Sequence, residues 1–134
     1  MRWLDTNIIV RYLTGDDPVK AQACLALFQR VQEGDEELAT SETIIAEVTY
    51  VLTSQYHLSH PEIAARLRPL LALSGLKLPY KRAVQRALER YRESSRLDFE
   101  DALSVEHMER LGIRPIVSYD RNFDRVPEIV RQEP

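Results

Sequence analysis

A single cysteine, Cys24, among 134 residues rules out an internal disulfide and a cysteine zinc cluster. That usage suits a reducing compartment. No stretch approaches the roughly 18 consecutive apolar residues that a membrane span needs. The first residues lack the charged region, long apolar core and cleavage site of a secretory signal, so a cytoplasmic protein without membrane contact is expected. Glycine is scarce too: Gly15, Gly34, Gly75 and Gly112 each fall where a helical pattern stops. No phosphate loop, dinucleotide fingerprint or Gly-x-Ser-x-Gly turn is left for them to form. His57, His60 and His107 lack metal-ligand spacing on one helix face and are expected at the surface or at caps. An excess of cations is also missing. Eighteen Lys and Arg against 21 Asp and Glu give a net charge of −3, which argues against nucleic-acid binding by overall charge alone.

What is present is an ordinary globular composition, 44% hydrophobic and 29% charged, in a chain sized for one domain with one core. Residues 2–5 read as a buried strand, and a helix carrying Ile8, Ile9, Tyr12 and Leu13 follows at once. Asp17-Pro18 opens the next helix. Residues 37–40 form a second strand, and Ser41 caps a helix whose apolar stripe is Ile44, Ile45, Val48, Val51 and Leu52. A helix from about Pro61 to Leu73, closed by Gly75, precedes a third short strand or extended link over 76–79. A basic helix runs from about Tyr80 to Glu93. Asp98 opens another helix that ends at Gly112. Residues 115–118 make a fourth strand, residues 128–131 add a fifth at an edge, and Gln132-Glu133-Pro134 is a loose tail. Short strands alternating with helices predict a three-layer α/β/α domain over residues 1–134. Its centre is a parallel sheet of four to five short strands with helices on both faces.

Four acids stand out against this scaffold. Asp5 lies at the carboxyl end of the first strand, where open α/β sheets place their chemistry. Glu47 sits at helical spacing from Ile44, Val48 and Val51, beside the apolar stripe, where an unpaired carboxylate is costly. Asp98 and Asp101 share a face at a helix start. Asp98 is the natural N-cap and Asp101 the better ligand. Asp120 follows the fourth strand as Asp5 follows the first, and those two strands are expected to be neighbours at the switch in strand order. Carboxylates gathered at one end of one sheet repel unless a cation neutralises them. A donor set of oxygens without His or Cys suits Mg²⁺ or Mn²⁺, whose chemistry on phosphate is phosphodiester hydrolysis.

Leu4-Asp5-Thr6-Asn7, Glu47, Asp98-Phe99-Glu100-Asp101-Ala102-Leu103 and Ser118-Tyr119-Asp120-Arg121-Asn122-Phe123 stand in the order found in PIN-domain ribonucleases. The chain resembles the VapC type of toxin over nearly its whole length. That resemblance implies a PIN-like fold and Mg²⁺- or Mn²⁺-dependent RNA cleavage by Asp5, Glu47, Asp101 and Asp120, with Asp98 as a further acid at the metal. It implies that Thr6, Asn7 and Ser118 orient the acids by hydrogen bonds. Homodimerisation and inhibition by a cognate VapB-like antitoxin belong to the same implication. Asp124 is the nearest rival to Asp120.

Cations that can meet RNA phosphates are Arg121 and Arg125 beside Asp120, and Arg82 and Arg86 on the basic helix, whose stripe also holds Lys81 and Arg90. Two other readings stay open. One is a module that binds RNA or an antitoxin without cutting. The other is an aspartyl phosphatase or phosphotransferase with Asp5 as nucleophile, although Asn7 stands where such enzymes use a second aspartate.

Overall fold

The computed structural model describes all 134 residues. Five short strands alternate with six helices: β1 (Arg2–Trp3), α1 (Thr6–Thr14), α2 (Pro18–Glu33), β2 (Leu38–Ala39), α3 (Glu42–Ser54), α4 (His60–Leu71), β3 (Leu76–Lys77), α5 (Lys81–Glu93), α6 (Phe99–Leu111), β4 (Pro115–Val117) and β5 (Val130–Gln132). A 3-10 helix, Arg121–Arg125, joins the last two strands. The elements fall where periodicity and caps put them. Asp17, Ser41 and Ser59 accept backbone N–H bonds at the starts of α2, α3 and α4, and Gly15, Gly34 and Gly112 end α1, α2 and α6 in the left-handed region.

All strand pairs are parallel, as the alternation predicts. They form two ladders rather than one, β1-β2-β3 and β4-β5. The expected pairing of β1 with β4 is therefore absent. β4 opens on Pro115, which has no N–H to give a ladder and belongs on an edge. The first strand is also shorter and more open than expected: Arg2 and Trp3 are exposed, and burial begins at Leu4. The chain end is tied down rather than loose, since Gln132 accepts the Ser118 N–H at 3.0 Å and Glu133 pairs with Arg131.

One apolar cluster of 27 buried residues unites the elements, drawing on every helix from α1 to α6. Ile9, Ile45, Val48, Leu67 and Val105 are completely shielded. Gly75 is the one glycine misread. α4 ends earlier, with Ala72 as its C-cap. Gly75 is instead a point of close approach, where an added Cβ would lie 2.9 Å from Val31 Cγ1 and 3.1 Å from the Glu36 carbonyl oxygen. Its own carbonyl accepts the Leu38 N–H, so the strand cannot simply move away. Gly75→Ala is expected to destabilise the fold by about 1–3 kcal/mol through overpacking. Urea unfolding would read this as a lowered midpoint with an unchanged slope.

Candidate active site

Leu4, 2% exposed, anchors the turn that delivers Asp5. Its N–H donates to the Ala39 carbonyl at 2.7 Å, and its own carbonyl accepts the buried Thr40 hydroxyl at 3.0 Å. α1 starts one residue after Asp5, on a buried Thr6 whose hydroxyl donates to Glu47 Oε2 at 2.7 Å. Glu47 itself is exposed, whereas its neighbours Ile45 and Val48 are buried. The expected conflict of an acid trapped beside the apolar stripe is thus relieved by turning it outward onto Thr6. Asn7 is exposed and makes no side-chain hydrogen bond. Thr40 carries a role that its position as a strand's last residue did not signal.

The second group gathers around Asp101, half-buried on the first turn of α6. Burial, and then the charges of Asp120, Asp98 and Glu100, push its carboxyl above the usual aspartate range. Asp120 is exposed and forms the Asx-turn that its loop permits, accepting the Asn122 N–H at 2.9 Å. Ser118 accepts the Asp120 N–H at 3.0 Å and so holds that loop. Asp124 is engaged elsewhere, paired with Arg131 at 2.9 Å.

Asp5 and Asp98 both occupy N-cap positions, yet neither carboxylate makes the cap bond. The polar caps Asp17, Ser41 and Ser59 do so, at Lys20 N, Ile44 N and Glu62 N. No Lys, Arg or His pairs with Asp5, Glu47, Asp98, Glu100, Asp101 or Asp120, although thirteen ion pairs occupy acids elsewhere. These acids do not close into a cage. No three His, Cys, Asp or Glu side chains stand close enough to hold an ion among themselves, so the expected crowding of all four into one pocket is not met. Asp5 and Asp120 follow strands of different ladders. The donors still fit a hard divalent cation in kind. Mg²⁺ keeps several waters and is commonly held through one or two carboxylates plus substrate phosphate oxygens.

Between α3 and α6 lies an open cavity of about 500 Å³, walled by Glu42, Glu47, Tyr50, Glu100, Ser104 and His107. Glu100 went unnoticed among stronger acids, though its spacing to Leu103, Ser104 and His107 marks one helix face. His107 is neither a surface nor a cap residue. Its Nε2 lies 2.9 Å from Glu42 Oε2, and its Nδ1 is buried without a partner. The other histidines are as expected: exposed His57 sits in a turn, and His60 Nδ1 meets the carbonyls of Tyr91 and Ser94 at the end of α5. Among the cations, Arg121, Arg125, Arg82 and Arg86 are exposed and unpaired. Arg90 drops out of the basic stripe because it clamps Glu106, Glu109 and Glu128.

No helix is long and apolar enough to cross a membrane. The chain is 24% identical over 126 residues to a protein named VapC ribonuclease from Aquifex aeolicus, covering 94% of this chain and 92% of that one. A solved structure of VapC20 from Mycobacterium tuberculosis, titled a sarcin-ricin loop cleaving toxin, aligns over 100% of both chains at 18% identity and a TM-score of 0.43. The PIN domain model matches residues 3–129, a span that contains every acid described above, and the chain belongs to the PIN domain family.

Proposed function

We propose that this chain, as one domain over residues 1–134, is a metal-dependent endoribonuclease and the toxin of a type II toxin–antitoxin pair. It hydrolyses RNA phosphodiester bonds with water, so that one product keeps the phosphate and the other gains a hydroxyl. The observation that carries the proposal is the set of uncompensated acids. Asp5 and Asp98 forgo cap bonds typically worth about 1 kcal/mol, and Asp101 is held half-buried against like charge. Burial and like charge at Asp101, beside two acids that leave their cap bonds unmade, mark a place that something positive would stabilise. RNA as substrate is supported by the name of the Aquifex aeolicus relative and by family membership. A VapB-like antitoxin and a homodimer are part of the same proposal.

In this scheme Asp5, Glu47, Asp98, Asp101 and Asp120 hold Mg²⁺ or Mn²⁺. When bound, the ion supplies positive charge against the phosphate and makes water more acidic. Thr6 fixes the Glu47 carboxylate, and Ser118 with the Asx-turn fixes the loop of Asp120. Asp101, whose charge is disfavoured by burial and then by Asp120, Asp98 and Glu100, is the acid whose ionised form a bound cation would relieve most. Arg121 and Arg125, exposed beside Asp120, meet the phosphates that flank the scissile one.

Purified protein incubated with total RNA is expected to cut it in Mn²⁺ and to fall silent in excess EDTA. Asp5→Asn and Asp101→Asn are each expected to lower the cleavage rate about 100-fold or more without unfolding the protein. End-mapping of the products checks both, and full activity in EDTA or in either variant would reject the mechanism. Asp120→Asn is expected to behave like them. Asp124→Asn is expected to cut normally while melting earlier, because it breaks only the pair with Arg131.

Asp101 also gives a stability test in the metal-free protein. Its folded-state pKa is raised, so between the unfolded and folded values the native chain holds a proton that the unfolded chain has released. Stability from this group is complete below the unfolded value and is lost as pH rises through the folded one. Asp101→Asn, inactive as an enzyme, is therefore expected to melt a few degrees higher than the parent at pH 7. Melts repeated in acid, below the usual carboxylate range, should show the gain disappear.

A further inference from the structure

His107 bounds the cavity beside Glu47 and Glu100 and stands between it and another on the same side of α6. The His107 ring meets the Tyr80 ring edge-on, with centroids 5.2 Å apart, and Tyr80 opens a second cavity of about 540 Å³ between α5 and α6. Arg82, Arg86 and Arg110 line it, together with Glu106 and Glu109. Both of those acids are turned onto Arg90, at 2.8 Å each, which they share with Glu128. Arg82 and Arg86 lie four apart on one face of α5, exposed and without a hydrogen bond or ion pair. Arg68 and Arg92 nearby are locked on Glu89. Lys81 turns inward to the carbonyls of Leu73 and Leu76. The free charge of this face is therefore concentrated on Arg82 and Arg86. Along α6, Glu100, Ser104, His107 and Arg110 share a face about 15 Å long.

Tyr80 is the unusual element. It is a non-glycine residue with φ 55° and ψ 37°, a conformation that costs of order 1 kcal/mol or more. The residue is 53% exposed and its hydroxyl makes no hydrogen bond, so neither burial of the side chain nor a hydroxyl contact accounts for that conformation. Arg110 lies 4.3 Å from the centroid of the ring. An exposed aromatic beside unpaired arginines, leading from an acidic site, has the components of a single-strand track: a stacking surface and cations for the backbone.

We propose that the groove from Glu47 and Glu100 past His107 to Tyr80, Arg82, Arg86 and Arg110 binds single-stranded RNA. One base stacks on Tyr80, and the phosphates beside it lie on Arg82 and Arg86. This rests on the ribonuclease reading for the identity of the ligand. The aromatic ring favours RNA over an acidic peptide, which would use the arginines alone.

The test is fluorescence anisotropy of a short labelled single-stranded RNA with the full chain in EDTA, titrated at several salt concentrations. Arg82→Gln/Arg86→Gln is expected to weaken binding about tenfold and to make the salt slope shallower by about 1.4, the value for two lost contacts to a single strand. Tyr80→Ala is expected to weaken binding about tenfold, with Tyr80→Phe restoring it. Lys20→Gln on α2 should change neither. Unchanged affinity and slope in the double arginine variant would overturn the proposal. So would an acidic peptide that displaces RNA at equal charge while Tyr80→Ala binds normally, since the face would then be a peptide site. Cleavage in Mn²⁺, run in parallel, separates the two readings. A parent protein that binds with these dependences but does not cut refutes the nuclease while the track stands. A parent that cuts, with variants that bind normally, refutes the track alone.

Discussion

Asp101 stands half-buried with Asp98, Glu100 and Asp120 acting on it and with no cation beside it. Burial first, and then those like charges, raise the proton affinity of Asp101, and that cost is present whenever the chain is folded. It persists because the rest of the molecule over-determines the geometry. α6 places Phe99, Ala102 and Val105 in the core at 1% exposure or less, so the helix cannot turn its acids away without pulling those side chains out. Opposite, Thr40 and Ala39 clamp Leu4, and the chain can leave β1 only through Asp5. The site is a strained electrostatic arrangement held by apolar packing.

The same logic sorts the remaining charges. The net of −3 is not spread evenly. Glu36 binds Arg2 and Arg30, Glu89 binds Arg68 and Arg92, and Arg90 gathers three glutamates. After these pairings, uncompensated acids concentrate around Asp5, Glu47 and Asp101, and uncompensated arginines on α5 and the 3-10 helix. Exposed pairs of this kind contribute little stability individually. Their consequence here is spatial, because among the charges they leave unpaired are a group of acids around Asp5, Glu47 and Asp101 and a group of arginines on α5 and the 3-10 helix. A polyanion that carries its own counterions can meet both groups, yielding its phosphates to arginine and, with a divalent ion, to the acids.

Much of this was legible in the sequence, for local reasons. Caps and terminal glycines gave helix ends within a residue or two, since Asp17, Ser41 and Gly112 work through bonds to their own neighbours. The parallel strands followed from alternation alone. What escaped depended on partners far along the chain. Gly75 looks like any helix stop until Val31 is placed against it. His107 looks like a surface residue until Glu42 is brought across from α3. Arg90 sits on its stripe as well as Arg86 does, and only tertiary contacts with Glu106 and Glu128 distinguish them. The acids lie between these cases. Their types and their positions at element starts were visible, but the outward turn of Glu47 onto Thr6 and the division of the strands into two ladders were not.

That division bears on how the site works. Were β1 and β4 hydrogen-bonded neighbours, sheet geometry would fix the spacing of Asp5 to Asp120. With β4 paired to β5 alone, no ladder bond fixes that spacing, and no three of the acids close on one point. A preformed cage of four carboxylates would carry heavy repulsion in its empty state and would hold an ion on all sides. Two half-sites carry less repulsion, and a cation held on one side keeps its other positions for water and phosphate. An acidic site that acts on phosphate needs those open positions more than it needs a tight cage. On the proposed reading, acids that do not close on one point leave a bound cation room for substrate oxygens.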